Sequence, residues 1–402
     1  MSANMLVAHG GGPTAVINSS LMGAVEEAKK HSAIQKIFGA RFGAEGILNN
    51  DLIDLSKIPD TVIAKLGQTP GSALGSCRRK LSAEDYPQVL ECFKKNDIRY
   101  FFYNGGNDSM DTCNQISVLA EKSGFELNVI GIPKTIDNDL AETDHSPGYG
   151  SAARYAAVSA LELAMDAASL PIHVVTLEIM GRNAGWITAA TSLFRKQMPC
   201  ELLVYLPEHP IDRKAMLGQI ETAWKKKRGV LVTVSEGIRD EKGVPYGDTG
   251  IRDGFGHLIA GGAAQALTDL IINELKLKSR SEKPGLLGRV NMACVSAVDR
   301  EEAYEAGVFA VKSAAEGRTG CMVSIEADRH TLSAKHFSLS KHPGYSSKMI
   351  LVPLEKVANV EQKFPDRWLK GPGLGFTDDF ASYCLPLADM TEPGYAYLDC
   401  SF

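Results

Sequence analysis

Short apolar runs alternate with longer helix-like stretches along most of this 402-residue chain, and this alternation constrains its fold most strongly. The pattern is typical of βα units, in which parallel strands are connected by helices. We expect strands at Asn4–His9, Arg99–Tyr103, Leu127–Ile132, Ile172–Glu178, Glu201–Leu206, Gly229–Ser235 and Cys321–Ile325. We expect helices at Gly150–Ala168, at Ala260–Lys276 and before Lys30, the last with Asn18 as its N-cap. The sequence therefore predicts the α/β class, with ligands at the carboxyl ends of the strands.

Size and composition limit the class of protein further. The length corresponds to about two or three domains, and the stretches Asp139–Gly150 and Lys278–Lys283 are candidate boundaries. A net charge of −5 argues against a nucleic-acid-binding protein, because such proteins present a basic face. No apolar run approaches the roughly 20 residues of a membrane helix, and Met1–Met5 lack the pattern of a signal sequence. The eight cysteines include no Cys-x-x-Cys pair. We therefore expect a cytoplasmic protein with reduced thiols that binds neither nucleic acid nor membranes.

The first expected strand runs directly into a glycine-rich turn, Gly10–Gly12. Turns of this kind, between a strand and a helix, direct backbone N–H groups at phosphate. The pattern Gly10-x-Gly12-x-x-Ala15 also matches the dinucleotide fingerprint, but the next apolar run, Lys36–Phe42, offers no acidic residue for a ribose. The match is therefore poor support for a dinucleotide, and a tight turn without a ligand explains the glycines equally well.

A second such turn follows the expected strand Arg99–Tyr103 and contains two glycines followed by three polar residues. Gly105 and Gly106 permit close approach of the backbone to a ligand. Asn107, Asp108 and Ser109 offer oxygen ligands for Mg²⁺ or donors for phosphate. The alternative is a helix N-cap made by Asp108 or Ser109, which alone accounts for such residues.

The third turn, Pro133–Asp139, follows the strand Leu127–Ile132 and gives the sharpest indication. Asp137 and Asp139 are two residues apart, so in an extended chain they share one face. Paired carboxylates beside Lys134 can act as metal ligand and general base next to a neutralising cation. A buried Lys134 needs an anion as its partner, either a phosphate or one of these aspartates. The alternative, a solvated acidic loop, explains poorly why the turn follows a buried strand. Three such turns together indicate binding of phosphate and a metal ion.

Three further segments carry weaker indications. Arg182, in Met180-Gly181-Arg182, offers a guanidinium to a phosphate after one strand. Glu236 follows another strand and offers a carboxylate to sugar hydroxyls, and the loop Leu74–Arg78 presents Arg78 to phosphate. Simple surface placement is the alternative for all three. Neither a Walker A loop nor a His-Glu-x-x-His zinc motif occurs in the chain.

These motifs occur in the order found in 6-phosphofructokinases, a family that the chain resembles from residue 10 to about residue 307. The resemblance is carried by Gly11-Gly12, Leu74–Arg78, Gly105–Ser109, Pro133–Asp139, Met180–Arg182, Glu236-Gly237 and Ser296–Ala303. The stretch Gly344–Trp368 resembles the tail of pyrophosphate-using members. The resemblance implies two doubly wound, mostly parallel-sheet domains with the active site in the cleft. Residues 1–148 and about 290–340 would bind the phosphoryl donor and Mg²⁺, and residues 149–289 and about 341–402 the sugar phosphate.

The resemblance also implies roles for single residues. Asp137 would be the general base for the sugar 1-hydroxyl, with Lys134 and Thr135 as the other catalytic residues. Asp108 and Asp139 would hold Mg²⁺, because Asn107 stands where most relatives have their first metal-binding aspartate. The donor would be bound by Gly12, Arg78, Gly105, Gly106, Asn107, Asp108 and Ser109. The sugar phosphate would be bound by Met180, Gly181, Arg182 and Glu236, with Lys283 or Arg289 replacing an arginine that is absent at Met292.

The identity of the donor rests on two side chains. ATP-using relatives have glycine at the positions of Asp108 and Lys134. The carboxylate of Asp108 would occupy the space that a nucleotide α-phosphate needs, and its charge would repel that phosphate. A shorter diphosphate still fits, and Lys134 supplies a cation for it. We therefore expect reversible phosphoryl transfer from pyrophosphate to the 1-hydroxyl of fructose 6-phosphate, with Mg²⁺, in a homodimer or homotetramer. The alternatives are an ATP-dependent 6-phosphofructokinase, sedoheptulose 7-phosphate as acceptor, and a noncatalytic paralogue.

Overall fold

The computed structural model of the protein describes residues 3–169, 173–227, 229–247, 262–329, 344–391 and 395–396. The chain divides into two compact units. Unit 1 comprises Met1–Tyr149 and Arg289–Gln362, and unit 2 comprises Gly150–Gly288 and Lys363–Phe402. The first crossing from one unit to the other falls at the end of the Asp139–Gly150 stretch.

The order of elements alternates between strands and helices. The strands are β1 (Ala3–His9), β2 (Ile34–Ala40), β3 (Leu52–Asp54), β4 (Ile98–Gly105), β5 (Asn128–Pro133), β6 (Val174–Ile179), β7 (Glu201–Tyr205), β8 (Val230–Ser235), β9 (Ser279–Glu282), β10 (Cys321–Asp328), β11 (Ser346–Pro353), β12 (Leu369–Gly371) and β13 (Gly375–Phe376). The helices are α1 (Ile17–Ala28), α2 (Ala44–Leu48), α3 (Asp60–Ile63), α4 (Asp85–Lys95), α5 (Asn107–Lys122), α6 (Tyr149–Ser169), α7 (Trp186–Ala190), α8 (Arg213–Lys226), α9 (Ala263–Leu275), α10 (Leu287–Val290), α11 (Ala297–Ala315), α12 (Leu354–Val357) and α13 (Asp378–Leu387). Short 3-10 helices occur at Leu55–Lys57, Leu66–Gln68, Arg195–Gln197 and Asp366–Trp368. The expected strands and helices are confirmed with small differences at their ends, while Ile172 and residues 260–261 lie outside the described residues.

The sheet of unit 1 has the strand order β11-β10-β5-β4-β1-β2-β3. Its central strands are parallel, whereas the edge strands β3 and β11 are antiparallel to their neighbours. Along β1, Leu6 and Ala8 pack with residues of α4 and α5, while Met5 and Val7 pack with residues of α1 and α11. Because successive side chains of a strand point to opposite faces, helices cover both faces of this sheet. Unit 1 is therefore doubly wound.

Unit 2 contains a parallel sheet with the strand order β7-β8-β6-β9. Val230, Val232 and Val234 of β8 pack with apolar residues of α8 and α9. The segment after Lys363 is held by aromatic packing, in which Phe364 meets Trp186 edge to face at a centroid distance of 5.3 Å. The mostly parallel sheets of the two units confirm the predicted α/β class.

Three local predictions are wrong. α1 begins at Ile17, so Asn18 is not its N-cap; the amide of Asn18 instead donates to the carbonyls of Thr69 and Gly71 at 2.8 and 2.9 Å. The proposed boundary Lys278–Lys283 contains β9, which pairs with β6. Finally, β11, which was assigned to the second domain, belongs to unit 1 because it pairs with β10 along its whole length.

Two findings bear on the class of protein. Among the described helices, none combines the length and the hydropathy that a membrane crossing requires. Every cysteine within the described ranges is a free thiol, as the absence of paired cysteine motifs led us to expect.

Candidate active site

Three turns at the carboxyl ends of neighbouring strands form the centre of the candidate site in unit 1. β5, β4 and β1 are adjacent in the sheet, so the turns that follow them lie side by side. The Gly10 N–H donates to the Asn104 carbonyl at 2.9 Å, and the Lys134 N–H donates to the Gly105 carbonyl at 3.1 Å. The three glycine-rich or acidic turns of the sequence are thus held to one another by the backbone.

Glycine is required where Ser109 packs against two of these turns. A Cβ atom at Gly10 would lie 2.2 Å from the Oγ atom of Ser109, and a Cβ atom at Gly105 would lie 2.0 Å from it. Both distances are far shorter than a van der Waals contact, so a larger residue at either position displaces the first turn of α5. These glycines therefore bring the N-terminus of α5 against the end of β1.

Lys134 is buried at the centre of the three turns, with 3% of its surface exposed. Its Nζ atom donates to the Gly12 carbonyl at 2.8 Å. Burial lowers the pKa of Lys134 to about 8; Arg289 and Arg78 lower it too, while Asp139 and Asp137 act in the opposite direction. A buried ammonium held near two guanidinium groups is stabilised when an anion binds beside it.

The pocket next to Lys134 is lined by glycine backbone and by two arginines. It has a volume of about 320 Å³, and its lining includes Gly11, Gly12, Ser76, Cys77, Arg78 and Arg289. A Cβ atom at Gly12 would lie 3.0 Å from Nη1 of Arg289 and 3.6 Å from Nη2 of Arg78. The absence of a side chain at Gly12 therefore lets the Arg289 guanidinium approach the backbone, while Arg78 lies at an ordinary contact distance. The structure places Arg289, which was expected to serve the sugar phosphate, on this pocket in unit 1.

His9, the last residue of β1, belongs to the site although no motif in the sequence indicated it. His9 is completely buried, and its Nδ1 atom lies 2.8 Å from the Oγ atom of Ser72. Burial, together with the charge of Lys134, lowers the pKa of His9 to about 3. A neutral imidazole at this position adds no positive charge to Lys134 and the two arginines of the neighbouring pocket. Its only sequence signal was its place at the end of a buried strand.

Asn107 and Asp139 form the part of the site that fits a metal ion. The Asn107 Nδ2 atom donates to Oδ2 of Asp139 at 3.2 Å. The Oδ1 atoms of both residues are buried and have no hydrogen-bond partner among the described residues. Burial raises the pKa of Asp139, and the neighbouring Glu361 raises it further. Mg²⁺ prefers oxygen ligands and keeps several waters, so these two unpartnered oxygens, one of them on a carboxylate, can supply two of its ligands. Asp108 is exposed in the first turn of α5, and the contact to Asp139 comes from Asn107.

Local hydrogen bonds fix the backbone on both sides of Asp137. The Asp137 N–H donates to Oγ1 of Thr135 at 3.1 Å, which closes a short turn. Asn138 has a positive φ of 55° and accepts a hydrogen bond on Oδ1 from the Ser146 N–H at 2.9 Å. Asp137 itself is half-buried. The carboxylate predicted to act as a general base therefore stands on a loop of defined shape.

A second group of predicted residues follows β6 and β8 in unit 2. These strands are neighbours, so the segment Met180–Arg182 and Glu236 lie at the same edge of their sheet. A Cβ atom at Gly237 would lie 1.7 Å from the Arg182 carbonyl oxygen, so only glycine permits this approach. The Nε atom of Arg182 is buried without a hydrogen-bond partner in the described part of the chain. Burial raises the pKa of Glu236 and the charge of Glu178 raises it further, while Arg182 opposes the rise.

Glu178 connects this group to Lys283 and was not identified from the sequence. Its side chain is buried, and Oε2 accepts hydrogen bonds from the N–H groups of Gly262 and Ala264 at 3.0 and 3.1 Å, at the start of α9. Its Oε1 atom forms an ion pair with Nζ of Lys283 at 2.9 Å. Lys283 is therefore brought to the group that contains Arg182 and Glu236. Met292, where an arginine was expected, packs with Ala15 and other apolar residues of unit 1.

The chain is similar to known proteins over most of its length. The family model for phosphofructokinase matches residues 4–314. The pyrophosphate--fructose 6-phosphate 1-phosphotransferase of Halomonas elongata is 40% identical over 96% of this chain and 91% of the relative. The sulfofructose kinase of Alkalicoccus urumqiensis is 32% identical over 90% of this chain and 91% of the relative.

A solved structure extends the likeness to the fold. The pyrophosphate-dependent phosphofructokinase of Nitrosospira multiformis matches with a TM-score of 0.85 at 36% identity, over 100% of this chain and 95% of that chain. Both the sequence match and the structural match cover the turns after β1, β4 and β5 and the segments after β6 and β8. The chain belongs to the phosphofructokinase family.

Proposed function

We propose that this protein transfers a phosphoryl group from pyrophosphate to the 1-hydroxyl of fructose 6-phosphate, with Mg²⁺, in a reversible reaction. The observation that carries the proposal is the buried Lys134, which contacts the Gly12 carbonyl beside a pocket lined by Arg78 and Arg289. Three cations around glycine backbone suit a small, highly charged anion. The names of the relatives in Halomonas elongata and Nitrosospira multiformis support the same donor and acceptor.

Lys134 also argues for a diphosphate rather than a nucleotide. Its side chain occupies the space beside Gly11, with Nζ 3.4 Å from where a Cβ atom of Gly11 would stand. A nucleotide needs room there for a further phosphate and its sugar, whereas pyrophosphate ends at its second phosphorus. Asp108 adds a negative charge at the neighbouring turn, which repels a third phosphate.

Mg²⁺ fits the pair of Asn107 and Asp139, whose buried Oδ1 atoms have no partner among the described residues. When bound, the ion neutralises charge on the donor oxygens and helps align them. We assign Asp108 as a further metal residue, because it follows Asn107 directly in the first turn of α5. Lys134, Arg78 and Arg289 neutralise the remaining charge of the pyrophosphate.

Asp137 acts as the general base in this proposal. Its carboxylate accepts the proton of the 1-hydroxyl while the hydroxyl oxygen attacks the nearer phosphorus of pyrophosphate in line with the departing oxygen. The bond between that phosphorus and the bridging oxygen breaks, and phosphate leaves. Thr135, whose hydroxyl accepts a hydrogen bond from the Asp137 N–H, contacts the transferring phosphoryl group. Positioning and charge neutralisation supply most of the rate enhancement in such transfers.

The acceptor is assigned to the residues after β6 and β8. The buried Nε atom of Arg182 supplies a donor for the sugar phosphate, and Glu236 accepts hydrogen bonds from the sugar hydroxyls. Lys283 adds a second cation, oriented by Glu178. Met180 and Gly181 complete the turn that carries Arg182. We also propose that the enzyme acts in the cytoplasm as a homodimer or homotetramer, on the strength of the family resemblance.

The proposal is tested by following phosphorus directly. Incubation of the protein with fructose 6-phosphate, pyrophosphate and Mg²⁺ should produce orthophosphate and a new sugar 1-phosphate signal in the ³¹P NMR spectrum. Incubation with fructose 1,6-bisphosphate and orthophosphate should regenerate pyrophosphate. Sedoheptulose 7-phosphate replaces the acceptor in a parallel sample. No loss of pyrophosphate in either direction would refute the proposed function.

A further inference from the structure

A buried cluster of charged side chains lies next to the loop that carries Asp137. His145 is 2% exposed, and its two ring nitrogens contact two carboxylates. Its Nε2 atom lies 2.6 Å from Oε2 of Glu302, and its Nδ1 atom lies 2.9 Å from Oδ1 of Asp144. Because both partners are carboxylates, an imidazolium that donates through both nitrogens satisfies this geometry.

Two further side chains complete what we call the His145 cluster: His145, Asp144, Glu302, Arg329 and Tyr345. The guanidinium of Arg329 donates to the two oxygens of Asp144 at 2.8 and 2.6 Å. The hydroxyl of Tyr345 donates to Oε1 of Glu302 at 2.6 Å. Two carboxylates thus face two cations when His145 is protonated, so the cluster is neutral as a whole. Burial lowers the pKa of His145, but Glu302 and Asp144 outweigh it and raise the pKa to about 9.

The cluster joins segments that are far apart in the sequence. Glu302 lies on α11, Arg329 follows β10, Tyr345 precedes β11, and His145 stands between the Asp137 loop and α6. Asp299, one turn before Glu302 on α11, accepts a hydrogen bond from the Gly148 N–H at 2.7 Å. The segment 144–148 is therefore fixed to α11 at two points.

The same segment is bonded to both sides of Asp137. The Thr135 N–H donates to the Pro147 carbonyl at 3.2 Å, and the Ser146 N–H donates to Oδ1 of Asn138 at 2.9 Å. Any displacement of residues 144–148 is thus transmitted to the residues on either side of Asp137. A shift of about 1 Å in a reacting group is enough to lower a rate by roughly 100-fold.

We infer that His145 is a positioning residue, which holds the Asp137 loop in its reactive shape through its paired contacts with Glu302 and Asp144. This inference rests on the proposed role of Asp137 as the general base. It explains a motif that the mechanism does not otherwise use, Ser296-x-x-Asp299-x-x-Glu302, in which Ser296 caps α11 while Asp299 and Glu302 hold the segment 144–148.

A second histidine–carboxylate pair in unit 1 provides a matched control. Glu27 is 3% exposed and contacts Nε2 of His31 at 3.1 Å and Nζ of Lys30 at 2.8 Å. Glu27 lies in the last turn of α1 and the other two residues follow the helix, all outside the residues that bond to the segment 144–148. Replacement of His31 with glutamine therefore breaks the same kind of pair without acting on the Asp137 loop.

The test compares His145→Gln, the double variant His145→Gln with Glu302→Gln, and His31→Gln, each assayed well below its melting temperature. His145→Gln should lower kcat by about 10- to 100-fold, with less than about a twofold change in either KM, and should speed amide hydrogen exchange in peptides that cover residues 135–148. The double variant removes the unpaired buried charge and keeps the acceptor for Tyr345, so it should recover part of kcat. His31→Gln should leave kcat and that exchange unchanged.

The outcomes separate this inference from the proposed function. Hydrogen exchange requires no turnover, so an unchanged exchange rate of residues 135–148 in His145→Gln overturns the inference whatever the donor is. Faster exchange with an unchanged kcat overturns it too, because His145 would then be only structural. If His145→Gln does not fold, Glu302→Gln alone is held to the same two criteria. Failure of the wild-type protein to use pyrophosphate refutes the proposed function and leaves the exchange result to decide on the cluster.

Discussion

Replacing Lys134 with methionine is expected to stabilise the fold while it removes the use of pyrophosphate. The pKa of Lys134 is lowered from 10.5 to about 8, chiefly by burial. That difference corresponds to about 3 kcal/mol against keeping the side chain charged in the folded protein. Methionine has a similar length and no charge, so the variant loses this unfavourable term. It also loses the Nζ bond to the Gly12 carbonyl, which costs about 1 kcal/mol because Gly12 is partly exposed to water.

The net gain at neutral pH is therefore about 2 kcal/mol in the free energy of unfolding. This gain in the free energy of unfolding decreases as pH rises. Below pH 8 Lys134 is protonated in both the folded and the unfolded protein, so the unfavourable term is fully present. Between pH 8 and 10.5 the unfolded chain binds more protons than the folded one, and the wild-type protein gains stability as pH rises. The advantage of Lys134→Met should shrink by about 2 kcal/mol between pH 7 and pH 9.5.

Urea denaturation at several pH values measures this effect, and steady-state kinetics measures the accompanying loss of function. Lys134→Met should lower kcat/KM for pyrophosphate by at least about 100-fold, because an anion-binding charge is removed from a buried site. Lys57→Met, at a lysine whose side chain is 81% exposed, is the control and should change neither stability nor its pH trend. A Lys134→Met protein that is less stable than wild type by a pH-independent amount would refute the reasoning.

Three further variants test other parts of the account. Asp137→Ser should lower kcat by about 1,000-fold or more and leave the urea midpoint nearly unchanged; a mild loss of kcat would exclude Asp137 as the base. Asn107→Asp adds a charge beside the Asp139 carboxylate, whose Oδ2 atom Asn107 contacts, so it should lower the Mg²⁺ concentration needed for half-maximal rate, and a rise would place the ion elsewhere. Asp108→Gly combined with Lys134→Gly should shift the donor preference toward ATP, and unchanged pyrophosphate kinetics would contradict the steric argument.

The sequence predicted those parts of the site that depend on one strand and the turn after it. The alternation of strands and helices, together with the rule for parallel sheets, was enough to bring the turns after β1, β4 and β5 together. The burial of Lys134 could be expected because it follows a buried strand directly. The glycines after these strands were recognised from the sequence, but the contact of Gly10 with the distant Ser109 was not.

Contacts between distant parts of the chain could not be predicted in this way. Arg289 and Gly12 are far apart in sequence, and no periodic pattern indicates that they share a pocket. The His145 cluster draws on α11 and on the residues at the ends of β10 and β11, so no single motif contains it. The predicted N-cap at Asn18 failed for the same reason, since hydrogen bonds to the distant Thr69 and Gly71 occupy its amide.

β9 was missed because it lacks an apolar run, and β11 because its apolar residues, Met349–Val352, occupy only its second half. In β9, Ser279–Glu282, partly buried residues alternate with exposed ones, as a strand with one neighbour in the described sheet permits. β11 is likewise polar over its first half. Such strands are recognised only by their pairing, which depends on a neighbour elsewhere in the chain.

The choice of phosphoryl donor tests the central claim most directly. Initial rates should be measured with fructose 6-phosphate and Mg²⁺ at saturating concentrations, while pyrophosphate and ATP are varied in separate series. The buried Lys134 beside Gly12 predicts a kcat/KM for pyrophosphate that exceeds the value for ATP by at least about 100-fold, equivalent to about 2.7 kcal/mol. A value for ATP equal to or above that for pyrophosphate would contradict the account.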